Sequence, residues 1–229
     1  MQPTVYVIAG PNGVGKSTAA YRLIPMGTEQ INPDDIARQY RQQFNQQEII
    51  LQHTNDEARR RMETNLARRA SFSVETNLYD QATWQYFLAV QQSGYAFDLL
   101  FLCTSHLATL VERVRNRQQQ GGHFVREDVI RERYHNGLLW LNHYFDQPSS
   151  LTLFDTANGF MPVYRRLDGA VQHQADPLPD WVIQHLAKWI GLAADPTQQT
   201  VRRASSIGEV RELYEVLKNK PLPGSDSSK

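Results

Sequence analysis

The sequence predicts a doubly wound α/β fold, in which helices cover both faces of a mainly parallel five-stranded sheet. Short apolar runs rich in β-branched and aromatic residues alternate with longer helical patterns along the chain. Two of these runs are almost continuously apolar, which is typical of central strands covered on both faces. The 229 residues, of which 41% are hydrophobic and 21% charged, are sufficient for a substantial core.

The elements of the first half follow one another in the order that this fold requires. The predicted strands of the whole chain comprise residues 5–9, 30–31, 72–75, 98–103 and 151–154. A first helix begins at Lys16 and ends before Pro25, and Asn32 followed by Pro33 marks the start of a second helix. Thr54 and Glu57 have the spacing of a capping box, which predicts a helix from there to about residue 70.

The second half of the chain predicts further helices and a hairpin. Apolar residues recur at helical spacing in residues 107–117 and again in residues 126–144, on either side of Gly121-Gly122. A β-hairpin is predicted around Asp168-Gly169, and a packing helix over residues 181–190. Ser206 and Glu209 form a second capping box, which predicts an amphipathic helix before a tail rich in proline, glycine and serine.

Composition excludes several classes of function. The 24 basic and 24 acidic side chains leave no net charge, which argues against nucleic acid or an anionic membrane as partner. The single cysteine, Cys103, can form neither an intrachain disulfide nor a zinc cluster. The N-terminus lacks the features of a secretory signal, and no apolar run approaches the roughly 20 residues of a membrane span. We therefore expect a cytoplasmic protein.

An apolar strand, a glycine-rich turn and a helix start follow directly on one another near the N-terminus. The turn has the spacing of a phosphate-binding loop and comprises Gly10, Pro11, Asn12, Gly13, Val14, Gly15, Lys16 and Ser17, followed by Thr18. In such a loop, backbone N–H groups and the helix N-terminus surround phosphate oxygens. The lysine reaches the β and γ phosphates, and the serine is a ligand of Mg²⁺. The sequence therefore predicts a site for ATP or GTP with Mg²⁺.

Acidic residues after the next two strands are candidates for the chemistry opposite the γ phosphate. Asp34 and Asp35 lie in the first turn of a helix, where an aspartate can accept a hydroxyl proton or simply complement the helix dipole. Glu75 ends the third strand together with Thr76 and Asn77, and these three polar groups lie at the sheet edge where ligands of doubly wound folds bind. Glu75 can contact a substrate hydroxyl or hold Mg²⁺ through water, and the spacing does not decide between these two roles. Asp34 can also hold Mg²⁺ through water.

Arginines are concentrated around Gly121-Gly122-His123. Six lie within 21 residues, namely Arg113, Arg115, Arg117, Arg126, Arg131 and Arg133. Arginines on a mobile segment can neutralise the charge of a transferring phosphoryl group, whereas those on a surface helix pair with nearby glutamates. Arg113 and Arg117 are four residues apart and therefore share one helical face. For His123, a phosphate contact and a plain loop role both remain open.

Together these motifs resemble the zeta-toxin family of small P-loop kinases. The similarity covers roughly residues 3–190 and rests on the phosphate loop, residues 31–35 and 73–76, the arginines leading into His123, and Phe154-Asp155. It implies an ATP-dependent kinase that phosphorylates a hydroxyl of UDP-N-acetylglucosamine. It also implies an antitoxin protein that blocks the nucleotide site.

The resemblance assigns roles to individual residues. It implies that Lys16 and Ser17 hold phosphate and Mg²⁺ and that Asp34 is the general base. The implied substrate contacts are Glu75 and Thr76, with His123 and Arg126 from the lid, and the implied lid arginine is Arg113 or Arg117. His123 stands where the longer toxins have a second arginine, so transition-state stabilisation here is expected to rely on Arg126 or another helix residue. Asn158 is the corresponding candidate for an adenine contact.

We therefore expect a P-loop kinase domain over residues 1–192, with a helical lid at about residues 112–135. An amphipathic helix over residues 193–220 and a disordered tail over residues 221–229 are expected to follow. The expected acceptor is a small molecule, and the resemblance points to a nucleotide sugar. A kinase of another small hydroxyl compound, such as a nucleoside, sugar or dinucleotide, is the alternative among enzymes. An ATP-dependent binding module with slow hydrolysis is the alternative outside them.

Overall fold

A seven-stranded sheet with the strand order β2-β3-β1-β4-β5-β6-β7 forms the centre of the molecule. The computed structural model describes residues 2–119 and 125–189. The strands are β1 (Thr4–Ala9), β2 (Glu29–Ile31), β3 (Phe72–Thr76), β4 (Ala96–Cys103), β5 (Ser150–Asp155), β6 (Met161–Leu167) and β7 (Ala170–Gln174). The first five are parallel, as predicted, and β6 and β7 are antiparallel.

The predicted hairpin is part of this sheet rather than a separate appendage. β6 pairs with β5 in antiparallel register from Ser150 opposite Leu167 to Asp155 opposite Met161. The strand count is therefore seven instead of five. Antiparallel strands need only a tight connection, so the chain can add β6 to the open edge of β5 without a crossover helix.

Seven α-helices are described, and most begin and end close to their predicted positions. They are α1 (Lys16–Leu23), α2 (Pro33–Tyr40), α3 (Gln47–Arg68), α4 (Gln81–Gln92), α5 (Leu107–Gln119), α6 (Glu127–His143) and α7 (Asp180–Leu186), and a 3₁₀ turn over Ala187–Trp189 follows α7. The asparagine before α2 caps it as expected, because the side chain of Asn32 accepts a hydrogen bond from the Asp34 amide at 2.9 Å.

The predicted capping box at Thr54 and Glu57 is wrong. α3 begins at Gln47, seven residues earlier, and Thr54 is buried in its interior. The Thr54 hydroxyl donates to the Ile50 carbonyl at 2.7 Å, a bond that allows a threonine to occupy a helix interior. Glu57 pairs with Arg60 and Arg61 instead of capping the helix.

The central strands are buried on both faces, as their continuous apolarity predicted. Val5, Val7, Phe97 and Leu99 are fully buried. In register, Ala9 at the end of β1 lies opposite Thr76 of β3 and Phe101 of β4. The carboxyl ends of these strands therefore meet at one edge of the sheet, where the loops that follow them converge.

Part of the sequence prediction concerns residues outside the described ranges. These include Gly121-Gly122 and His123, the amphipathic helix that begins near Ser206, and the tail of residues 221–229. No helix in residues 2–119 and 125–189 combines the length and apolarity required to cross a membrane.

Candidate active site

The phosphate loop joins β1 to α1 and depends on glycine for its path. Gly10 has a φ of 140°, and a Cβ atom there would lie 2.2 Å from the Leu102 carbonyl oxygen. Gly13 has a φ of 81°, and its Cβ would lie 2.6 Å from the Leu110 carbonyl oxygen. Both positions combine a backbone conformation that favours glycine with a close backbone approach. The loop is thus packed against β4 and α5, which fixes its shape.

Lys16 lies inside this loop. Its Nζ donates to the carbonyls of Gly10 and Pro11 at 2.8 and 3.1 Å and to Oδ1 of Asn77 at 2.9 Å. Burial lowers the pKa of Lys16 to about 8, although the negative charges of Glu75 and Asp34 oppose that shift. The ammonium group is therefore held beside the loop with its charge poorly solvated, and an anion bound there would favour its protonated form.

Ser17, Glu75 and Asn32 form a connected polar network next to Lys16. The Ser17 hydroxyl donates to Oε2 of Glu75 at 2.9 Å. The Asn32 side-chain amide donates to Oε1 of Glu75 at 3.0 Å and to the Ser17 hydroxyl at 3.3 Å. Burial raises the pKa of Glu75, while the Ser17 hydrogen bond and the Lys16 charge act in the opposite direction.

The oxygens of this network have the chemistry that Mg²⁺ requires. Mg²⁺ prefers hard oxygen ligands and is usually held by one or two carboxylates together with phosphates and water. Ser17 supplies a hydroxyl from the first turn of α1 and Glu75 a carboxylate from the end of β3, and Asn32 orients both of them. These residues therefore fit the ion that accompanies a nucleotide.

Asp34 lies in the first turn of α2, exposed and facing α5. Oδ2 of Asp34 is 3.7 Å from Nη1 of Arg117, and the two side chains are 57% and 45% exposed. Asp34 also contributes to the electrostatic environment of Lys16, Glu75 and Arg133. The structure thus brings Asp34 to the same edge of the sheet as the phosphate loop. Its neighbour Asp35 instead pairs with Arg38 at 2.9 Å.

Arg133 of α6 contacts the phosphate loop directly. It is buried, its Nη1 donates to Oδ1 of Asn12 at 2.8 Å, and its guanidinium lies 5.6 Å from the ring centroid of Tyr79. Burial lowers the pKa of Arg133 and raises the pKa of Tyr79 to about 12. The arginine cluster noted in the sequence includes Arg133, but only the fold distinguishes it as the member that reaches the loop.

A cleft of about 240 Å³ lies beside the loop on the α5 side. Its lining residues are Gly13, Val14, Gly15, Arg113, Thr156, Gly159 and Phe160. Nη2 of Arg113 donates to the Thr156 carbonyl at 3.2 Å. Asn158, the predicted adenine contact, is exposed and does not line this cleft.

The remaining predicted site residues are spread around this edge. Thr18 is exposed in the first turn of α1. The Thr76 hydroxyl accepts a hydrogen bond from the Leu78 amide at 3.1 Å and so shapes the turn after β3. Arg126 is the exposed residue directly before α6, where its side chain makes no capping hydrogen bond, and it forms an ion pair with Asp128. His123 lies outside the described residues.

The structure gives two side chains contacts that the sequence did not predict, and it brings a third, unpredicted side chain to the site. Asn32 was recognised as a helix cap but also bonds to Ser17 and Glu75. Asn77 was recognised as a polar residue at the sheet edge, and the structure adds its contact with Lys16. Phe160 carried no signal, because an isolated aromatic residue after a strand has many possible roles.

Comparisons with known proteins agree with this fold. A model of the family described as an AAA domain matches residues 5–138, more than half of the chain. No curated protein sequence matches the chain significantly.

Solved structures share the fold at low identity. A structure of the AvrRxo1-ORF1:AvrRxo1-ORF2 complex with sulphate ions contains a chain that aligns with a TM-score of 0.63 and 14% identity, covering 95% of this chain and 76% of that one. The same complex with ATP aligns with a TM-score of 0.59, 14% identity and the same coverage. A chain of the Pnkp1/Rnl/Hen1 RNA repair complex aligns with a TM-score of 0.54 and 17% identity. That match covers 64% of this chain but spans less than half, 47%, of the other. These likenesses show that the fold is shared.

Proposed function

Because the chain belongs to the family described as an AAA domain, we propose that it is an ATP-dependent phosphotransferase acting on an alcohol group of a small molecule. The observation that carries this proposal is the convergence of Lys16 and Asp34 at one edge of the sheet, where the Asp34 charge acts on the Lys16 ammonium group. An ammonium group in a phosphate loop and a carboxylate facing it are the two groups that phosphoryl transfer to a hydroxyl needs.

In the proposed reaction, the chain holds the nucleotide and orients the acceptor. The loop amides and Lys16 hold the phosphates, and Asn32 keeps the Ser17 hydroxyl and the Glu75 carboxylate in place. Mg²⁺, when bound at those oxygens, would neutralise charge on the phosphates. Asp34 accepts the proton of the acceptor hydroxyl while the oxygen of that hydroxyl forms a bond to the γ phosphorus. At the same time, the bond between the γ phosphorus and the β-phosphate oxygen breaks.

Arginines complete the proposed site by compensating the charge on the transferring group. The support is the position of Arg117, 3.7 Å from Asp34, and the hydrogen bond from Arg133 to Asn12 of the loop. Arg113, the other predicted lid arginine, lies one turn earlier in α5, at the cleft with Thr156. Positioning and charge neutralisation account for most of the catalysis in such a site.

For the acceptor, we propose a nucleotide sugar such as UDP-N-acetylglucosamine, and for the biological role a toxin restrained by an antitoxin. The support is the resemblance of residues 31–35, 73–76 and the phosphate loop to zeta toxins. Other small hydroxyl compounds fit the same reaction, so the acceptor is a question for experiment.

The direct test incubates the purified protein with MgATP and a panel of sugars, nucleosides, dinucleotides and nucleotide sugars, and detects phosphorylated products by mass spectrometry. Lys16→Ala should abolish transfer. Asp34→Asn should retain nucleotide binding but lower the transfer rate at least about 100-fold, since a general base contributes that much. Asp35→Asn is the matched control and should transfer normally. Transfer by Asp34→Asn at the parental rate would show that Asp34 is not the base.

A second experiment identifies the acceptor in cells. Metabolites are compared after induced expression of the parent and of Lys16→Ala. A new phosphorylated nucleotide sugar that appears only in cells expressing the parent protein supports the proposed acceptor. A different new phosphorylated metabolite would identify another compound as the acceptor. Nucleotide binding without transfer to any compound would contradict the kinase proposal and favour a regulatory module.

A further inference from the structure

The residue that follows β3 places a second side chain against the ammonium group of Lys16. Oδ1 of Asn77 accepts a hydrogen bond from Nζ of Lys16 at 2.9 Å. The lysine of a phosphate loop reaches the β and γ phosphates, so a side chain in contact with its Nζ lies beside them. We propose that the Asn77 amide is a further ligand of the terminal phosphate, with Nδ2 as the hydrogen-bond donor. This inference rests on the proposed function only in placing the triphosphate of a nucleotide in the loop.

The chemistry of Lys16 fixes the orientation of the Asn77 amide. An ammonium group carries N–H donors and no acceptor, so only the oxygen of the amide can bond to it. The two N–H groups of Nδ2 therefore lie on the other branch of the amide, and within residues 2–119 and 125–189 they donate to no other group. Asn77 is half-buried at the edge of the sheet. Since a hydrogen bond to a charged phosphate is about twice as strong as a neutral one, this branch of the amide suits an anion.

The backbone around Asn77 is held in place from several sides. Leu78 is fully buried and has a φ of 50°, which leucine rarely adopts. The Leu78 amide donates to the Thr76 hydroxyl at 3.1 Å. The carbonyl oxygen of Asn77 lies 3.7 Å from the position that a Cβ atom would take on Gly137 of α6. Backbone strain of this kind persists only where the surroundings impose it, and it is concentrated at ligand sites. The Asn77 amide is therefore in position before a ligand binds, which lowers the entropic cost of binding.

A neutral amide meets both requirements of this position. The carboxylates of Glu75 and Asp34 already act on the Lys16 ammonium group. An aspartate at position 77 would accept from Lys16 as asparagine does, but it would add a third negative charge and supply no donor. An amide accepts from the ammonium group with one atom and can donate to a phosphate oxygen with the other.

The test is equilibrium binding of MgATP and MgADP to the full chain, measured by isothermal titration calorimetry. Asn77→Leu, which has a similar size and no hydrogen-bonding group, should weaken MgATP about tenfold, the loss of one hydrogen bond to a charged group. MgADP should weaken by less than about threefold, because it lacks the terminal phosphate. Asn77→Asp keeps the shape and the acceptor for Lys16, and should bind MgATP at least as weakly as Asn77→Leu. Equal losses for the two nucleotides, or parental MgATP affinity in Asn77→Asp, would overturn the inference.

A double-mutant cycle distinguishes a direct phosphate contact from an effect that acts through Lys16. In the Lys16→Ala protein, Asn77→Leu should still weaken MgATP at least about threefold, because the amide itself contacts the phosphate. If Asn77→Leu has no further effect there, Asn77 only positions Lys16 and the inference is wrong. Asn45→Leu and Asn45→Asp, at an exposed asparagine between α2 and α3, are the matched controls and should bind both nucleotides like the parent.

The outcome for Asn77 is separable from the outcome for the kinase proposal. The expected binding pattern in a protein that transfers phosphate to no acceptor would leave this inference standing while the kinase proposal fails. Phosphoryl transfer by the parent, together with parental MgATP affinity in Asn77→Leu, would overturn this inference alone.

Discussion

At the scale of single residues, Lys16 links the electrostatics of the site to a measurable pH dependence. Its pKa of about 8 is set mainly by burial, with the Glu75 and Asp34 carboxylates raising it and Arg133 and Arg117 lowering it. Bound phosphates stabilise the ammonium form of Lys16 and therefore raise its pKa above the value in the free protein. Nucleotide binding is therefore coupled to protonation of Lys16 above that value.

We predict that affinity for MgATP is constant from pH 7 to about 8 and then falls by up to about tenfold per pH unit, because the free protein must take up a proton to bind. Isothermal titration between pH 7 and pH 9.5 measures this. Lys16→Arg should show no such decline, since arginine stays charged throughout the range. A flat profile for the parent would show that the lysine is already protonated at pH 9.5 and is not desolvated as described.

Glu75 gives a second residue-scale prediction that separates its two possible roles. Glu75→Gln keeps the shape of the side chain but removes the charge next to the Ser17 hydroxyl. We expect the Mg²⁺ concentration for half-maximal nucleotide binding to rise about tenfold or more, as when an outer partner of a metal ligand is lost. Glu48→Gln, at the exposed start of α3, is the control. A raised KM for the acceptor with unchanged Mg²⁺ dependence would assign Glu75 to the substrate hydroxyl instead.

The same residues show what sequence can and cannot predict about a site. The spacing of the loop identified Lys16 and Ser17 because consecutive residues in one turn have a fixed geometry. The contacts of Arg133 with Asn12 and of Asn77 with Lys16 join residues 121 and 61 positions apart. No local pattern encodes such distances, so the partners of the loop emerged only from the arrangement of α6 and β3 around it.

At the scale of elements, the conformation of the β1–loop–α1 unit depends on loop positions that have no space for a Cβ atom. Gly10→Ala would place a Cβ atom against the Leu102 carbonyl in a conformation that essentially only glycine adopts. We predict that this substitution lowers the free energy of unfolding by about 3 to 5 kcal/mol, at the upper end for single substitutions.

Gly27→Ala is the matched control for this prediction. Gly27 also has a positive φ, 83°, but nothing lies within 4 Å of the position of its Cβ. Gly27→Ala should lower the free energy of unfolding by about 1 kcal/mol, because only the backbone conformation is unfavourable for alanine there. Urea unfolding followed by far-ultraviolet circular dichroism measures both. Equal losses at the two positions would show that the Leu102 contact relaxes and does not specify the loop.

The boundaries of helices and strands were predictable where the residues at the boundary fit only one local structure. Asn32-Pro33 both caps and starts α2, and the Gly10 to Ser17 turn must precede a helix. Thr54 fits two local structures, because its hydroxyl can cap the start of a helix or, inside a helix, donate to the carbonyl four residues earlier. The start of α3 at Gln47 lacks a side-chain cap, which left the true boundary without a local signal.

At the scale of the whole molecule, the hairpin of β6 and β7 is integrated into the fold by a buried arginine. Arg166 of β6 is 5% exposed and donates to the carbonyls of Phe145 and Pro148, both at 3.0 Å. Burial lowers its pKa. These bonds connect β6 to the segment between α6 and β5, so the antiparallel edge and the helical layer are held together. Sequence predicted the hairpin from its turn, but not its place in the sheet, which depends on this distant contact.

We predict that Arg166→Ala lowers the free energy of unfolding by about 3 kcal/mol, because two buried carbonyls lose their donor and a cavity replaces the side chain. Arg165→Ala, the exposed neighbour on the same strand, should change it by less than about 0.5 kcal/mol. If the hairpin is integral to the domain, tryptophan fluorescence and far-ultraviolet circular dichroism should report one common transition for both variants, shifted to lower urea in Arg166→Ala. A parental midpoint for Arg166→Ala, or a separate early transition of the hairpin, would mean that the five parallel strands fold without it.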